Sequence, residues 1–204
     1  RGASFSWAPS RHGLPMFLAA QTLYLFAPLL VSSALAAVVM RFDLLRSSSV
    51  PIDAGMVWRD RRLLGDGKTW RGVVVAIAGC ISTVAVQKHV IGTRAAPLWL
   101  LDYRGVEPFT FGAGLGVAAM LGELPNSFVK RRLGIPRGGV ASGVKSIAFY
   151  VWDQVDVLTF TWPLLSYWLR PTTALIATSV ALTLLLHPAL SWLGYLLGVR
   201  TSAR

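Results

Sequence analysis

Trp152-Asp-Gln-Val-Asp156 sets two carboxylates at i and i+3 within Ser146 to Leu169, a stretch that is otherwise apolar and rich in aromatic residues. On a helix that spacing turns both acids to one face. Placing an ionisable side chain inside an apolar span costs on the order of 2.5–3.5 kcal/mol on insertion scales, so such a pair needs a function or a partner. Two adjacent negative charges repel, and a divalent cation relieves the repulsion. All-oxygen donors select a hard ion, Mg²⁺ with Mn²⁺ as its substitute. A proton relay, or one Asp paired with a loop arginine, is the competing reading. Gln154 points away from the pair, toward a neighbouring helix.

Two basic segments carry the complementary chemistry. The first holds Val50-Pro-Ile-Asp-Ala-Gly55 and then Trp58-Arg-Asp-Arg-Arg-Leu-Leu-Gly-Asp-Gly-Lys-Thr-Trp-Arg-Gly72. Gly65, Gly67 and Gly72 bracket Asp66, Lys68 and Arg71. Glycines let backbone N–H groups approach an anion, Lys and Arg neutralise phosphate, and the Thr69 hydroxyl donates a hydrogen bond. The pattern is not a Walker A loop, which needs a glycine where Arg62 stands. The second segment is Leu121-Gly-Glu-Leu-Pro-Asn-Ser-Phe-Val-Lys-Arg-Arg-Leu-Gly-Ile-Pro-Arg-Gly-Gly139. Glu123, Ser127 and Lys130 fall at i, i+4 and i+7 and share a face if a helix continues past Pro125, where strain or an end is expected. Lys130, Arg131 and Arg132 also suit headgroup anchoring. The run is too short, and too poor in interleaved aromatics, to argue for nucleic acid.

The elements that must position these residues follow from composition. The 204 residues are 54% hydrophobic and 14% charged, with a formal charge of +11 and a mean hydropathy of +0.55. A disordered basic tail and a soluble basic domain are both excluded by that pairing. The expected class is an all-α integral membrane protein, a single domain of about five transmembrane helices with two functional cytoplasmic loops. Spans are expected at about 14–40, 72–91, 109–129, 146–169 and 172–199, with loops at about 41–71 and 130–145. Gly112 and Gly116, four apart in the third span, allow close helix approach. The chain opens on Arg1, which suggests numbering after a trimmed segment, and a cleavable leader is the lesser reading of the first span.

Arg41, Arg46, Arg59, Arg61, Arg62, Lys68 and Arg71 in one loop, Lys130, Arg131, Arg132, Arg137 and Lys145 in the other, and Arg200 and Arg204 at the C-terminus make 14 of the 20 basic residues. With five spans all 14 share one side. The positive-inside rule makes that side cytoplasmic, with the N-terminus outside and the C-terminus inside. Cys80 reads as packing filler, and His187, before Pro188, as a hydrogen-bonded residue at a kink. His12 and His89 fall far from the acids, so zinc is not expected.

Three segments together resemble one family. Pro51-Ile-Asp-x-Gly55 with Arg61-Arg-Leu-Leu-Gly-Asp-Gly-Lys-Thr-Trp-Arg-Gly72, then Ser127-Phe-Val-Lys-Arg-Arg-Leu-Gly-Ile135, then Asp153-Gln-Val-Asp156, resemble the CDP-archaeol synthases, grouped with the phosphatidate cytidylyltransferases. The likeness covers about Val50 to Asp156. Where the family usually has Gly-Asp, this chain has Gly122-Glu123, a carboxylate one methylene longer. The resemblance implies a five-helix membrane enzyme that uses Mg²⁺ and CTP to convert a lipid phosphate, isoprenoid ether or diacyl, into a CDP-activated lipid with release of pyrophosphate. It further implies Asp153, Asp156 and Glu123 as metal ligands, with Lys130, Arg131 and Arg132 on the β/γ and lipid phosphates. Lys68 and Arg71 cover the other side with Gly65 and Thr69. Asn126 and Ser127 hydrogen-bond phosphate, and Asp53 and Asp66 orient cations or meet the nucleoside. A small transporter using Asp153 and Asp156 as a cation path is the alternative, but it leaves both loop motifs without a role.

Overall fold

The computed structural model describes residues 15–136 and 144–196. Arg1, His12, Arg137, Arg200 and Arg204 lie outside them, as do the side chains of Lys145 and His187.

Helix α1 is Pro15–Arg41, α2 Trp70–Val86, α3 Pro108–Arg132, α4 Val144–Val155, α5 Leu158–Leu165 and α6 Thr173–Leu196. At 1.5 Å per residue, the 27 residues of α1 and the 24 of α6 reach about 40 and about 36 Å, enough to cross a hydrocarbon layer of about 30 Å. Met16–Arg41 and Trp70–His89 are, among the described residues, the two helical stretches long and apolar enough to pass as spans by length and composition. Helix α2 is prolonged by a wider turn over Gln87–Ile91.

Helix α3 packs most extensively on α2, and α2 on α1. The reason is the small-residue spacing. A Cβ added at Gly112 would stand 2.6 Å from Ile81 Cα, and one at Gly116 2.7 Å from Ile77 Cα, so only glycine lets the two backbones meet. Around this seam Leu25, Cys80, Val84, Phe111, Leu115 and Leu165 form the buried centre.

Two features differ from the sequence reading. The expected end near Pro125 does not occur: α3 runs through it to Arg132. Proline removes one N–H donor from the ladder and the helix tolerates the loss. It stops instead at Gly134, whose φ is +75°, with Ile135 N–H donating to Lys130 O and Gly134 N–H to Arg131 O, a Schellman end. The stretch expected as one span over 146–169 is divided. Helix α4 ends at Val155, and the chain tightens at Asp156, where Thr159 N–H donates to the Asp156 carbonyl, before α5 begins. Gly122 of α3 lies directly against this turn: a Cβ added there would collide with Asp156 O and stand 3.0 Å from Val157 Cα.

The loop between α1 and α2 is not wholly irregular. Val57–Trp58 (β1) pairs antiparallel with Arg61–Arg62 (β2). Arg59 and Asp60 between them both have positive φ, 51° and 59°, as a tight two-residue hairpin turn requires.

Candidate active site

Because α3 continues past Pro125, Glu123, Asn126, Ser127 and Lys130 form one stripe facing the α4–α5 turn and the first loop. Asn126 is the centre of the site. It is 3% exposed, and its Nδ2 donates to Asp153 Oδ1 at 2.5 Å and to Asp156 Oδ2 at 2.8 Å. One amide therefore joins both acids of the Asp-x-x-Asp pair. Lys130 Nζ, one turn further along α3, also donates to Asp153 Oδ1. Across the site Lys68 pairs with Glu123, and Lys68, Glu123 and Asp153 all act electrostatically on Asp156. Asp156 itself is 7% exposed.

Beside these groups a cleft of about 310 Å³ is lined by Arg62, Gly65, Asp66, Lys68, Ser127 and Arg131, with Leu64 and Gly67. Its floor depends on Gly65, which has φ +86°, and a Cβ there would meet Arg131 Nε at 3.1 Å. Asp53 fixes the loop from behind. Its carboxylate is 1% exposed and accepts from Leu64 N–H at 3.0 Å, Gly55 N–H at 3.1 Å and Arg62 Nη2 at 2.8 Å. Burial alone pushes the Asp53 carboxyl up, but these three donors together outweigh it and hold the group below its ordinary value. Arg62 continues to Asp66 through Nη1 at 2.5 Å.

The sequence-predicted residues thus separate into groups. Asp153, Asp156, Asn126, Lys130, Glu123 and Lys68 come together, and Gly65, Asp66, Ser127 and Arg131 line the adjoining cleft. Three others are engaged elsewhere. Thr69 caps α2, its hydroxyl oxygen accepting from Gly72 N–H at 3.3 Å. Arg71 turns back to Asp43 at 2.8 Å and the Leu44 carbonyl at 3.2 Å. Arg132 donates to the carbonyls of Trp58, Arg61 and Arg62 and sits beside the stacked Trp58 and Phe128 rings, 5.3 Å from each centroid, while Arg61 returns a bond to Arg132 O at 2.7 Å. It clasps the hairpin to the end of α3. Asp53 likewise organises the loop from outside the cleft lining. The residue missed by sequence reasoning is Arg62, which both lines the cleft and joins Asp53 to Asp66; its place four before Asp66, in a motif already quoted, was the available signal.

Among the described residues no three His, Cys, Asp or Glu side chains cluster closely enough to hold a metal ion. The donor set still suits a hard cation. A single nitrogen sits within hydrogen-bond distance of both carboxylates, so a position shared by the two acids exists. Asn126 Oδ1 is a buried oxygen without a hydrogen-bond partner, and a turn of the amide about its Cβ–Cγ bond would bring it to the acids as a third donor of the kind that Mg²⁺ and Mn²⁺ accept.

Comparison with known proteins agrees with this architecture. A family model described as CarS-like CDP-archaeol synthase matches residues 15–203. The chain is 33% identical over 165 residues to a CDP-archaeol synthase of Archaeoglobus fulgidus, covering 78% of this chain and 87% of that one. It is 36% identical over 164 residues to that of Methanospirillum hungatei, covering 78% and 92%. A solved structure described as an intramembrane enzyme for archaeal membrane lipids biosynthesis superposes with a TM-score of 0.59 at 26% identity, over 82% of this chain and 90% of that one. The chain belongs to the CDP-archaeol synthase family of CTP-dependent lipid cytidylyltransferases.

Proposed function

We infer that this protein transfers CMP from CTP to the phosphate of an isoprenoid ether glycerol lipid, forming a CDP-activated lipid and pyrophosphate for phospholipid synthesis. The observation that carries the reading is the bridged acid pair, Asp153–Asn126–Asp156, set beside a cleft lined by Arg62, Lys68, Ser127 and Arg131. A lipid phosphate oxygen attacks the α-phosphorus of CTP, the Pα–O bond to the β-phosphate breaks, and pyrophosphate leaves. Both reactants are polyanions, so the protein's work is neutralisation and alignment, with no covalent intermediate needed.

The residues divide by reach. Asp153, Asp156 and Asn126 Oδ1 would hold Mg²⁺, with Glu123 as a further carboxylate; the cation would supply charge neutralisation on the triphosphate. Lys68, Lys130 and Arg131 meet phosphate oxygens directly, and the Ser127 hydroxyl donates from the same α3 stripe. Gly65 keeps the backbone low beneath the anion, while Asp66 and Arg62 form the rim on the nucleoside side. Asp53, Thr69, Arg71 and Arg132 hold the loop in shape.

The same reading has the chain cross the membrane five times, α4 and α5 together forming one crossing, with both loops cytoplasmic; the charge bias of the sequence supports that orientation. The test is incubation of the purified protein with Mg²⁺, labelled CTP and separate lipid phosphates, isoprenoid ether or diacyl. The reading expects a labelled CDP-lipid, formed fastest from the ether lipid. Equal or faster turnover of the diacyl lipid would overturn the substrate assignment, and absence of any CDP-lipid would overturn the activity.

A further inference from the structure

Each carboxylate of the site already has a nitrogen donor. Lys68 holds Glu123, Lys130 holds Asp153, and Asn126 holds Asp153 and Asp156 together. None of these donors is a remote surface group. Lys68 and Lys130 side chains are 21% and 18% exposed, and both approach from elements that also border the cleft. The lysines therefore stand between two sets of possible partners, the carboxylates of the protein and the phosphates of the nucleotide. An ammonium cannot serve a carboxylate fully and also leave that carboxylate to a divalent cation, because the two positive charges compete for the same oxygens.

We propose that Lys68 and Lys130 are exchangeable counterions that exclude a bare divalent cation from the acid cluster and admit it only together with a triphosphate. When the nucleotide arrives, each ammonium moves from carboxylate to phosphate oxygen, and the freed carboxylates of Glu123 and Asp153 join Asp156 on the cation. Two lysines neutralise two of the three acids before binding and part of the triphosphate afterward, when the cation takes their place on the carboxylates. Cation and nucleotide thereby bind as coupled ligands, each raising the affinity for the other by the same factor. The exchange rests on the cytidylyltransferase reading of this site. It goes beyond it in assigning the lysines a role before any substrate is bound.

The test measures Mn²⁺ binding by electron paramagnetic resonance on the full chain in detergent, with and without a CTP analogue whose α,β-bridging oxygen is a methylene group. Wild type is expected to bind Mn²⁺ at least tenfold more tightly with the analogue. Lys130→Met is expected to bind bare Mn²⁺ about tenfold more tightly than wild type, and to lose most of the enhancement by the analogue, so that coupling shrinks from both ends. Lys68→Met reads the second pair in the same way, and stands in if Lys130→Met does not fold. A merely structural lysine would weaken both binding events together. Wild-type Mn²⁺ affinity unaffected by the analogue, or lysine variants with unchanged or weaker bare-ion affinity, would overturn the exchange, while CDP-lipid formation by the wild type would still support the underlying reading. Failure of the underlying reading looks different: Mn²⁺ would not bind even with the analogue, and no CDP-lipid would form.

Discussion

Asn126 shows how a residue's chemistry depends on what stands opposite it. As a sequence position it was one more hydrogen-bond donor for phosphate. In the fold its amide nitrogen ties the two acids together and its oxygen is left buried without a partner. Asn126→Leu is therefore expected to lower turnover at least about 100-fold, since buried Asp156 and half-buried Asp153 each lose a charge-assisted bond of roughly 1.5–3 kcal/mol; steady-state kinetics with the protein still monodisperse in detergent is the check. Asp53 makes the second case. Its lowered folded-state value means that its stabilisation is fully present above the unfolded carboxylate value of about 4, and fades as pH falls through the folded value. Asp53→Asn should cost about 1–3 kcal/mol at pH 7, and the gap to wild type should close as the solution is acidified below about pH 4. Thermal unfolding at neutral and acid pH measures both. The motif residues were legible as types: Lys68, Lys130, Asp153 and Asp156 meet as their chemistry suggests. Arg71 and Arg132 were not legible, because their partners, Asp43 and the hairpin carbonyls, lie 28 and about 70 residues away and only the fold brings them near.

At the scale of elements, the site depends on glycine contacts that hold α3 close to its neighbours. Gly112 and Gly116 bring α3 against α2, as their spacing suggested, and Gly122 lets the α4–α5 turn lie on α3. A methyl group at Gly122 would collide with the Asp156 carbonyl, which is backbone and cannot swing aside. Gly122→Ala is expected to displace Asp156 and cost about 1–3 kcal/mol from overpacking, with turnover falling more steeply than the melting temperature suggests; comparing the two measurements decides it. The hairpin makes the opposite prediction. Arg59 occupies positive φ without being a residue that prefers it, and Asp60 stands where a type I′ turn favours glycine, so Arg59→Asn with Asp60→Gly should stabilise the loop by roughly 1 kcal/mol, seen as slower proteolysis between α1 and α2. The helices α1, α2, α3 and α6 were readable because hydropathy is a local property. The division between α4 and α5 was not, since its cause is packing of the Asp156 turn on Gly122 and side-chain bonding to Asn126, neither encoded in the local hydropathy of residues 146–169.

For the whole molecule, the excess of 11 positive charges resolves into a functional asymmetry. Among the described residues, Arg61, Arg62 and Lys68 of the first loop meet the basic end of α3, with Glu123, Asp153 and Asp156 beside them. Under the proposed function, a lipid phosphate diffusing in the membrane plane and a nucleotide arriving from water would meet there. The charge bias further predicts that a reporter fused after Arg204 is cytoplasmic, giving fluorescence from a green fluorescent protein and no activity from a periplasmic-type phosphatase fused at the same point.

The central claim is that the Asp153–Asn126–Asp156 cluster carries CMP transfer. Lipid-dependent pyrophosphate release by Asp156→Asn, compared with wild type at saturating CTP and Mg²⁺, tests it most directly. The variant is expected to lose about 1,000-fold or more, roughly 4 kcal/mol of transition-state stabilisation, while still purifying folded from membranes. Turnover within a factor of three of wild type would contradict it.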